Sequence, residues 1–410
     1  NFNEYVQLDN AQKNVLVNPT PKTIPTIQQK LKTISITLND TLEENTTYSI
    51  DFGKAIKDLN EGNPFRNYKY IFSTGNSLDS LRVAGKVLVA QTGKADSTLI
   101  VMLHTNFDDS AVIKDRPRYV ARVDTSGNFM FNNLAPGKFA VYALKDEGGG
   151  RYLSKQQLFA FNDSTVDTRM QPRNIMLYAF LEKDTTKKPA AAVARPEEDK
   201  NKKGLKRPVL RIQTNLSDGK LDLLSNLELN FTPDPLKTFD STKVILTDTS
   251  YKPLTGYHFK MDTSNKKITL IYPWTEKTPY NLLLDSTFAI DTAGKKLLRS
   301  DTLSFQMKAN TDYGLVRLRF SNLQLDKSPL LQFIQGDAVK FSHAFTTNQF
   351  FAKLFQPGDY ELRIVFDENK NGEWDTGQFF GKKIQPEKVQ RINRKITVKA
   401  NWDNEVDIEL

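Results

Sequence analysis

The sequence predicts an all-β protein built of tandem β-sandwiches, and three observations carry that prediction. Short runs alternate apolar and polar side chains with period two, as half-buried strands do. Clusters of Asn, Asp, Gly and Pro separate the runs, and these residues tolerate or enforce chain reversal. The order of runs and turns is then played twice, the mark of a duplicated plan. A chain of 410 residues has room for two to four such domains.

Residues 1–76 form the first predicted unit. Ile34-Ser-Ile-Thr-Leu38 alternates cleanly, and Thr47-Tyr-Ser-Ile-Asp-Phe52 repeats the pattern after a Glu43-Glu-Asn45 turn. Asp58 to Pro64 is turn chemistry, and Tyr68-Lys-Tyr-Ile-Phe72 closes the unit. The chain opens in what reads as a strand, so its native start is expected to lie upstream. Residues 79–182 make a different unit. Val83–Val89 and Leu99–Leu103 read as strands, Asp124–Phe131 as a tight turn feeding a strand, and Leu134–Phe139 as a reversal into Ala140–Leu144. Residues 183–207 are Lys, Glu, Ala, Thr and Pro with almost no large apolar side chain. They cannot bury enough surface to offset chain entropy, so a flexible basic linker is expected there.

Residues 208–309 replay the first unit. Asn230-Phe231 echoes Asn1-Phe2, and Lys267–Tyr272 stands for the Ile34 strand. Thr278–Leu282 stands for Thr47–Ile50, Ile290–Gly294 for Ile56–Gly62, and Leu303–Phe305 for Tyr70–Phe72. About twenty residues precede the second Asn-Phe and none precede the first, so an opening strand is expected to be missing from the first copy. Residues 310–410 return to strands at Leu315–Phe320. Phe350 to Gly358 then echoes Phe129 to Gly137, so this unit reads as a diverged second copy of residues 79–182.

The Tyr-x-Ile/Leu strand, the Asp-x-x-x-Gly turn and the closing Phe strand resemble the bacterial Ig-like domain of the S-layer type. The opening Phe2-Asn-Glu-Tyr-Val-Gln-Leu8 strengthens the likeness. The pattern Asp-x-x-Gly-x-Phe-x-Phe-x-x-Leu-x-Pro-Gly-x-Phe from Asp124 to Phe139 resembles prealbumin-like sandwiches such as the carboxypeptidase regulatory-like domain, which carry no catalytic residues of their own. The expected order is Ig-like, prealbumin-like, linker, Ig-like, prealbumin-like. With Asp58–Pro64 and Gln385–Asp403, the whole resembles an Ig-like-domain lipoprotein family of Bacteroidota. That resemblance implies a lipidated Cys upstream of this chain and an outer-membrane address, at the cell surface or in the periplasm. The recurring triplets Asp40-Thr-Leu, Asp79-Ser-Leu, Asp109-Ser-Ala, Asp285-Ser-Thr, Asp291-Thr-Ala and Asp301-Thr-Leu look like Bacteroidota O-glycosylation sequons. They are equally ordinary turn residues.

Composition narrows the chemistry. There is no cysteine, which removes disulfides, thiolate metal sites and thiol nucleophiles. The net charge is +9, with much of the excess near Lys200–Arg207. No basic-aromatic motif accompanies that run, so no nucleic-acid partner is expected. No apolar run approaches the ~20 residues of a membrane-spanning helix. His104, His258 and His343 fall in three different units, and Gly-x-Ser-x-Gly, His-Glu-x-x-His and phosphate-binding Gly loops are absent. A non-catalytic protein is expected.

One loop has ligand chemistry. Asp367-Glu-Asn-Lys-Asn-Gly-Glu-Trp-Asp375 places oxygen side chains on alternate residues and Gly372 at the sharp turn, the spacing of a calcium loop. Asp367, Asn369, Asn371, Glu373 (through its carbonyl) and Asp375 are the candidate ligands of a structural calcium ion. Gln378 stands where a bidentate Glu would complete the set. A hydrogen-bonded Asn/Gly hairpin turn accounts for the same residues. The upstream Asp146–Gly150 segment has lost the Asn ligands and reads as a bare Gly loop. Trp274, Trp374 and Trp402 could stack on sugars or pack over sandwich edges. Two functions follow: a scaffold and docking subunit of an envelope complex, of the kind found in outer-membrane protein assembly or secretion, or a carbohydrate-binding protein for glycan capture. An exposed aromatic platform would favour the second.

Overall fold

A computed structural model describes residues 1–66, 68–146, 150–183 and 209–410. The expected linker, apart from Lys183, and the core of the Asp146–Gly150 loop lie outside the described residues. What is described is almost entirely strand and turn, in separate small sheets packed face to face.

The first sandwich comprises β1 (Val6–Leu8), β2 (Leu16–Asn18), β3 (Thr26–Lys30), β4 (Thr33–Thr37), β5 (Thr47–Asp51), β6 (Ile56–Asp58) and β7 (Lys69–Ser73). Sheet β2-β5-β7, hairpin β3-β4 and pair β1-β6 enclose Val6, Val17, Ile50, Phe52 and Ile56. The expected strand at the very start is corrected here. Within the opening Phe2–Leu8 stretch the strand begins at Val6, where β1 pairs with β6; residues 1–5 take no strand, and Phe2 makes one main-chain bond, to the Lys32 carbonyl.

The second sandwich comprises β8 (Leu81–Val89), β9 (Leu99–His104), β10 (Tyr119–Arg122), β11 (Asn128–Leu134), β12 (Lys138–Lys145), β13 (Phe159–Phe161), β14 (Val166–Asp167) and β15 (Ile175–Ala179). Sheets β11-β8-β15 and β10-β9-β12-β13 face each other. Phe129 and Phe131 alternate into the core beside Val83, Leu103 and Leu177, as period two requires. Gly127 has φ +87, and a Cβ there would meet the Val87 carbonyl at 2.5 Å, so the predicted turn needs its glycine.

The third sandwich comprises β16 (Arg211–Thr214), β17 (Lys220–Leu221), β18 (Leu227–Thr232), β19 (Leu236–Phe239), β20 (Val244–Thr247), β21 (His258–Met261), β22 (Lys267–Ile271), β23 (Pro279–Leu284), β24 (Ala289–Asp291) and β25 (Asp301–Met307). The fourth comprises β26 (Gly314–Ser321), β27 (Pro329–Gln335), β28 (Ala338–Ala344), β29 (Gln349–Phe355), β30 (Gly358–Phe366), β31 (Val389–Val398) and β32 (Asp403–Glu409).

The repeats hold at the level of register. Tyr48 faces Phe72 across β5-β7, and Tyr280 faces Phe305 across β23-β25. Phe2 donates to the Lys32 carbonyl and Phe231 to the Lys266 carbonyl, both at 2.8 Å. The second and fourth sandwiches share one plan: β11-β8-β15 corresponds to β29-β26-β32, each with its last pair parallel. Even the bulge recurs. It falls between Phe131 and Leu134 opposite β8, and between the matching Ala352 and Phe355 opposite β26.

Neighbouring sandwiches are tied together. Asn18 pairs with both main-chain groups of Val120, and Arg118 bridges to Glu43, joining the first to the second. The Tyr313 hydroxyl accepts from Leu223 N–H and Glu276 accepts from Asn310 N–H, joining the third to the fourth. The remaining tie links the second to the fourth, across the linker.

Candidate functional site: an inter-sandwich clasp

The stretch between β30 and β31 contains the predicted ligand loop and then folds onto the second sandwich. It begins at Asp367, which is buried at 3% exposure. One Asp367 oxygen accepts from Asn371 N–H at 3.2 Å and the other from Gly372 N–H at 2.8 Å. Asn369 Oδ1 accepts from Asn371 N–H and Asn371 Oδ1 from Glu373 N–H. The main chain thus draws the oxygens of 367, 369 and 371 to the concave side of the turn. Gly372 at φ +80 permits the reversal. Asp375 closes the ring, with its Oδ2 accepting from the amide nitrogens of Asn369 and Asn371, each at 2.6 Å. Glu373 is exposed, and Gln378 turns away to bridge Ile384.

Glu387, outside the ligand spacing, also joins the loop. Its carboxylate accepts from Glu368 N–H and Asp375 N–H, both at 3.0 Å. Burial pushes its pKa up, and the charges of Asp367 and Asp375 add to that. Lys183 Nζ, 2.8 Å from Asp375, holds that carboxyl below its ordinary value. The acidic residues therefore converge from both ends of the stretch. Among the described residues, no group of three or more His, Asp or Glu is gathered tightly enough to hold an ion as placed. The loop stands as a hydrogen-bonded turn whose acceptors share one side.

Beyond the turn, Phe379 enters the second sandwich. It is 1% exposed, with ring centroids 5.0 Å from Phe159, 5.0 Å from Phe161 and 5.6 Å from Tyr142. Phe380 packs on Tyr152 at 5.5 Å. The resulting apolar cluster also contains Met102, Leu144 and Phe180, so it belongs to two sandwiches at once. Polar contacts ring it. Glu182, itself buried, accepts from Phe379 N–H at 2.9 Å, and Thr376 donates to the Leu181 carbonyl at 2.6 Å. Gln385 donates to the Phe161 carbonyl, and Lys383 pairs with Asp109 at 2.7 Å. On the sheet face, buried Arg363 donates to Gln332 and to the Gln91 carbonyl, and Lys94 pairs with Glu361 at 3.2 Å. Gly377 is required for close approach, since a Cβ there would meet Phe180 and the Ile384 carbonyl at 2.8 Å.

The other candidates disperse. Trp274 packs in the third core with Tyr272, Tyr280 and Phe305 and donates to Asn226. Trp374 donates to the Glu387 carbonyl and packs beside Leu330 and Val365. Trp402 is 62% exposed, with Lys399 over its ring. His104 is buried against Tyr142, and burial pulls its pKa down to about 4. His258 is exposed on β21, and His343 packs on Phe345 and Phe350. Sequence reasoning missed Phe379, Glu182 and Arg363. The available signal was Phe379-Phe380 itself, two adjacent aromatics in a polar, Gly-rich stretch with no strand period.

Comparison with known proteins places one part of this chain. The family model for the bacterial Ig-like domain matches residues 1–74, the first sandwich. No curated protein matches the sequence. Among solved structures, the chain is similar to the Bacillus anthracis TIE protein at 11% identity, over 99% of this chain and 67% of that one, with a TM-score of 0.19. It is also similar to BcpA, the major pilin subunit of Bacillus cereus, at 11% identity over 81% and 99% of the two chains, TM-score 0.17. A third is the Bacteroides ovatus protein SGBP-B in complex with a mixed-linkage heptasaccharide, at 9% identity over 85% and 89%, TM-score 0.17. Scores and identities this low carry no argument about what this chain does. Among the described residues no helix is long and apolar enough to cross a membrane.

Proposed function

We propose that this chain is a non-catalytic scaffold of the bacterial cell surface, lipid-anchored to the outer membrane. In this reading it is a docking subunit of an envelope complex, of the class that assembles or secretes outer-membrane proteins. The observation that carries the reading is the clasp. A spacer of tandem sandwiches needs only end-to-end joints. Here the fourth sandwich reaches back to insert Phe379 into the second, where it meets Glu182 across 197 residues of chain, and the ties run first to second, second to fourth, fourth to third. A body braced in that way holds partner surfaces at fixed distances, and its sheet edges and loops are the surfaces that sandwiches offer to partners. The Ig-like match of the first sandwich agrees with a surface address.

The same reading gives calcium a role as a clip on the clasp. Asp367, Asn369, Asn371, Asp375 and the Glu373 carbonyl would hold the ion, with Glu387, which accepts from the Glu368 and Asp375 N–H groups, as a further carboxylate in place of the absent bidentate Glu. Calcium suits the all-oxygen set and would offset the convergence of Asp367, Asp375 and Glu387. The glycan-capture alternative has less support, since Trp274 and Trp374 are engaged in internal packing.

The test is an affinity pull-down of the full-length, lipidated protein from gently solubilised outer membranes, read by mass spectrometry. A stoichiometric barrel or secretion component is the expected result. A partner-free protein that binds on a glycan array would replace this reading with the alternative.

A further inference from the structure

The joint between the first and second sandwiches leaves a cleft of about 740 Å³. Residues 19–22 and 38–43 wall it on one side, and residues 114–118 with Thr105 and Arg151 on the other. Its charges are unequal. Lys22, Lys114, Arg116, Arg118 and Arg151 line it, against Asp40, Glu43 and Asp115. All three carboxylates are already engaged. Glu43 accepts from both terminal nitrogens of Arg118, Asp40 from the N–H and hydroxyl of Thr23, and Asp115 from the Asn106 amide at 2.7 Å. Of the five cations, Arg118 alone is ion-paired among the described residues, and Arg116 donates to the Pro21 carbonyl at 3.0 Å. Four cationic heads, drawn from both walls, therefore line the cleft without a counter-charge. The wall also holds a polar group with no partner: the Thr20 hydroxyl is buried and makes no hydrogen bond.

We propose that this cleft binds an acidic peptide segment of a partner protein, with carboxylates at the cationic rim and apolar side chains on the floor between the walls. Clefts of this size at a domain joint are where proteins take ligands, and Arg and Lys heads recognise carboxylates by charge-assisted hydrogen bonds. The cations are spread over two walls, which suits several carboxylates along a chain better than one compact anion. The buried part of the lining, Val17, Pro19, Tyr48 and Pro117, is apolar or aromatic and suits hydrophobic side chains. A sugar ring finds no platform there, because Tyr48 stacks on Phe72 at 5.4 Å and its hydroxyl accepts from Glu43 N–H. The proposal deepens the docking reading and rests on it: it gives one partner surface its chemistry.

The experiment uses the full chain and a fluorescent peptide, Asp-Leu-Glu-Asp-Leu-Glu, followed by anisotropy at low and at physiological salt. The neutral peptide Asn-Leu-Gln-Asn-Leu-Gln and hexagalacturonate, an acidic glycan, are the comparison ligands. Lys22→Glu with Lys114→Glu reverses two exposed cations of the cleft, one from each wall. Lys296→Glu with Arg299→Glu makes the same change in net charge on the exposed surface of the third sandwich. Matched melting curves check that both variants keep the fold. The acidic peptide is expected to bind saturably and more weakly as salt rises. The cleft variant should weaken it at least about tenfold and the distant variant should leave it unchanged. The neutral peptide should not bind. No saturable binding at millimolar peptide overturns the proposal, and so does equal weakening by the two variants, which would make the attraction one of net charge. Tighter binding of hexagalacturonate through Lys22 and Lys114 overturns it in favour of an acidic glycan. The measurement needs no membrane partner, so its failure leaves the pull-down result standing, and a partner-free pull-down leaves this measurement standing.

Discussion

Phe379 is the residue on which the clasp turns. Its ring is buried between two sandwiches, and deleting it opens a cavity that neither can refill alone. Phe379→Ala is expected to cost about 3–5 kcal/mol, read as a lower denaturant midpoint of the cooperative transition that includes the second and fourth sandwiches. Wild-type stability in this variant would show that the ring contributes nothing. His104 sets a pH dependence of known sign. Its folded pKa of about 4 lies below the ordinary 6.5, so the unfolded chain binds more protons between those values. Stability is then full above pH 6.5 and falls as the pH drops toward 4, by up to about 3 kcal/mol from this group. His104→Gln should flatten the slope of denaturation midpoint against pH in that window; an unchanged slope would remove His104 as its cause. At this scale the sequence was legible where chemistry is local. Gly127, Phe129 and Phe131 do what their spacing implied. Glu182 and Phe379 were not legible, because partners 197 residues apart leave no mark on local pattern.

The elements were read from alternation and turns, and the readings of β4, β5 and β26 rest on period two that survives in their burial. The strand expected at the opening of the chain begins at Val6, where it has β6 to pair with, and not at Asn1. The repeat was legible because turn residues and aromatic pairs recur in order, and the shared bulge opposite β8 and β26 lies beneath those same residues. The Asp367–Asp375 loop was legible as a turn rich in oxygen. Its engagement with Lys183 and Glu387 was not, because the first comes from the far side of the linker and the second from the far end of its own loop. The calcium proposal belongs to this scale. Millimolar calcium is expected to raise the melting temperature by a few degrees relative to chelator, as a ligand that binds only the folded chain does. Asp367→Asn should abolish the rise, and a melting temperature indifferent to calcium would leave the loop a turn and nothing more.

At the scale of the whole molecule, sequence alone left the two halves unrelated. The contacts that relate them are spread over Arg363, Thr376, Phe379, Lys383 and Gln385. Their joint effect is one braced body rather than two pairs of sandwiches on a tether. Zero-length carbodiimide coupling of the native chain, mapped by mass spectrometry, tests this most directly, because it joins lysines only to carboxylates already in contact. The account predicts covalent links Lys383–Asp109, Lys94–Glu361 and Lys183–Asp375 between the second and fourth sandwiches. They should form alongside the internal controls Lys267–Glu228 and Lys295–Asp234. Controls that couple while all three bridging links are missing would contradict it.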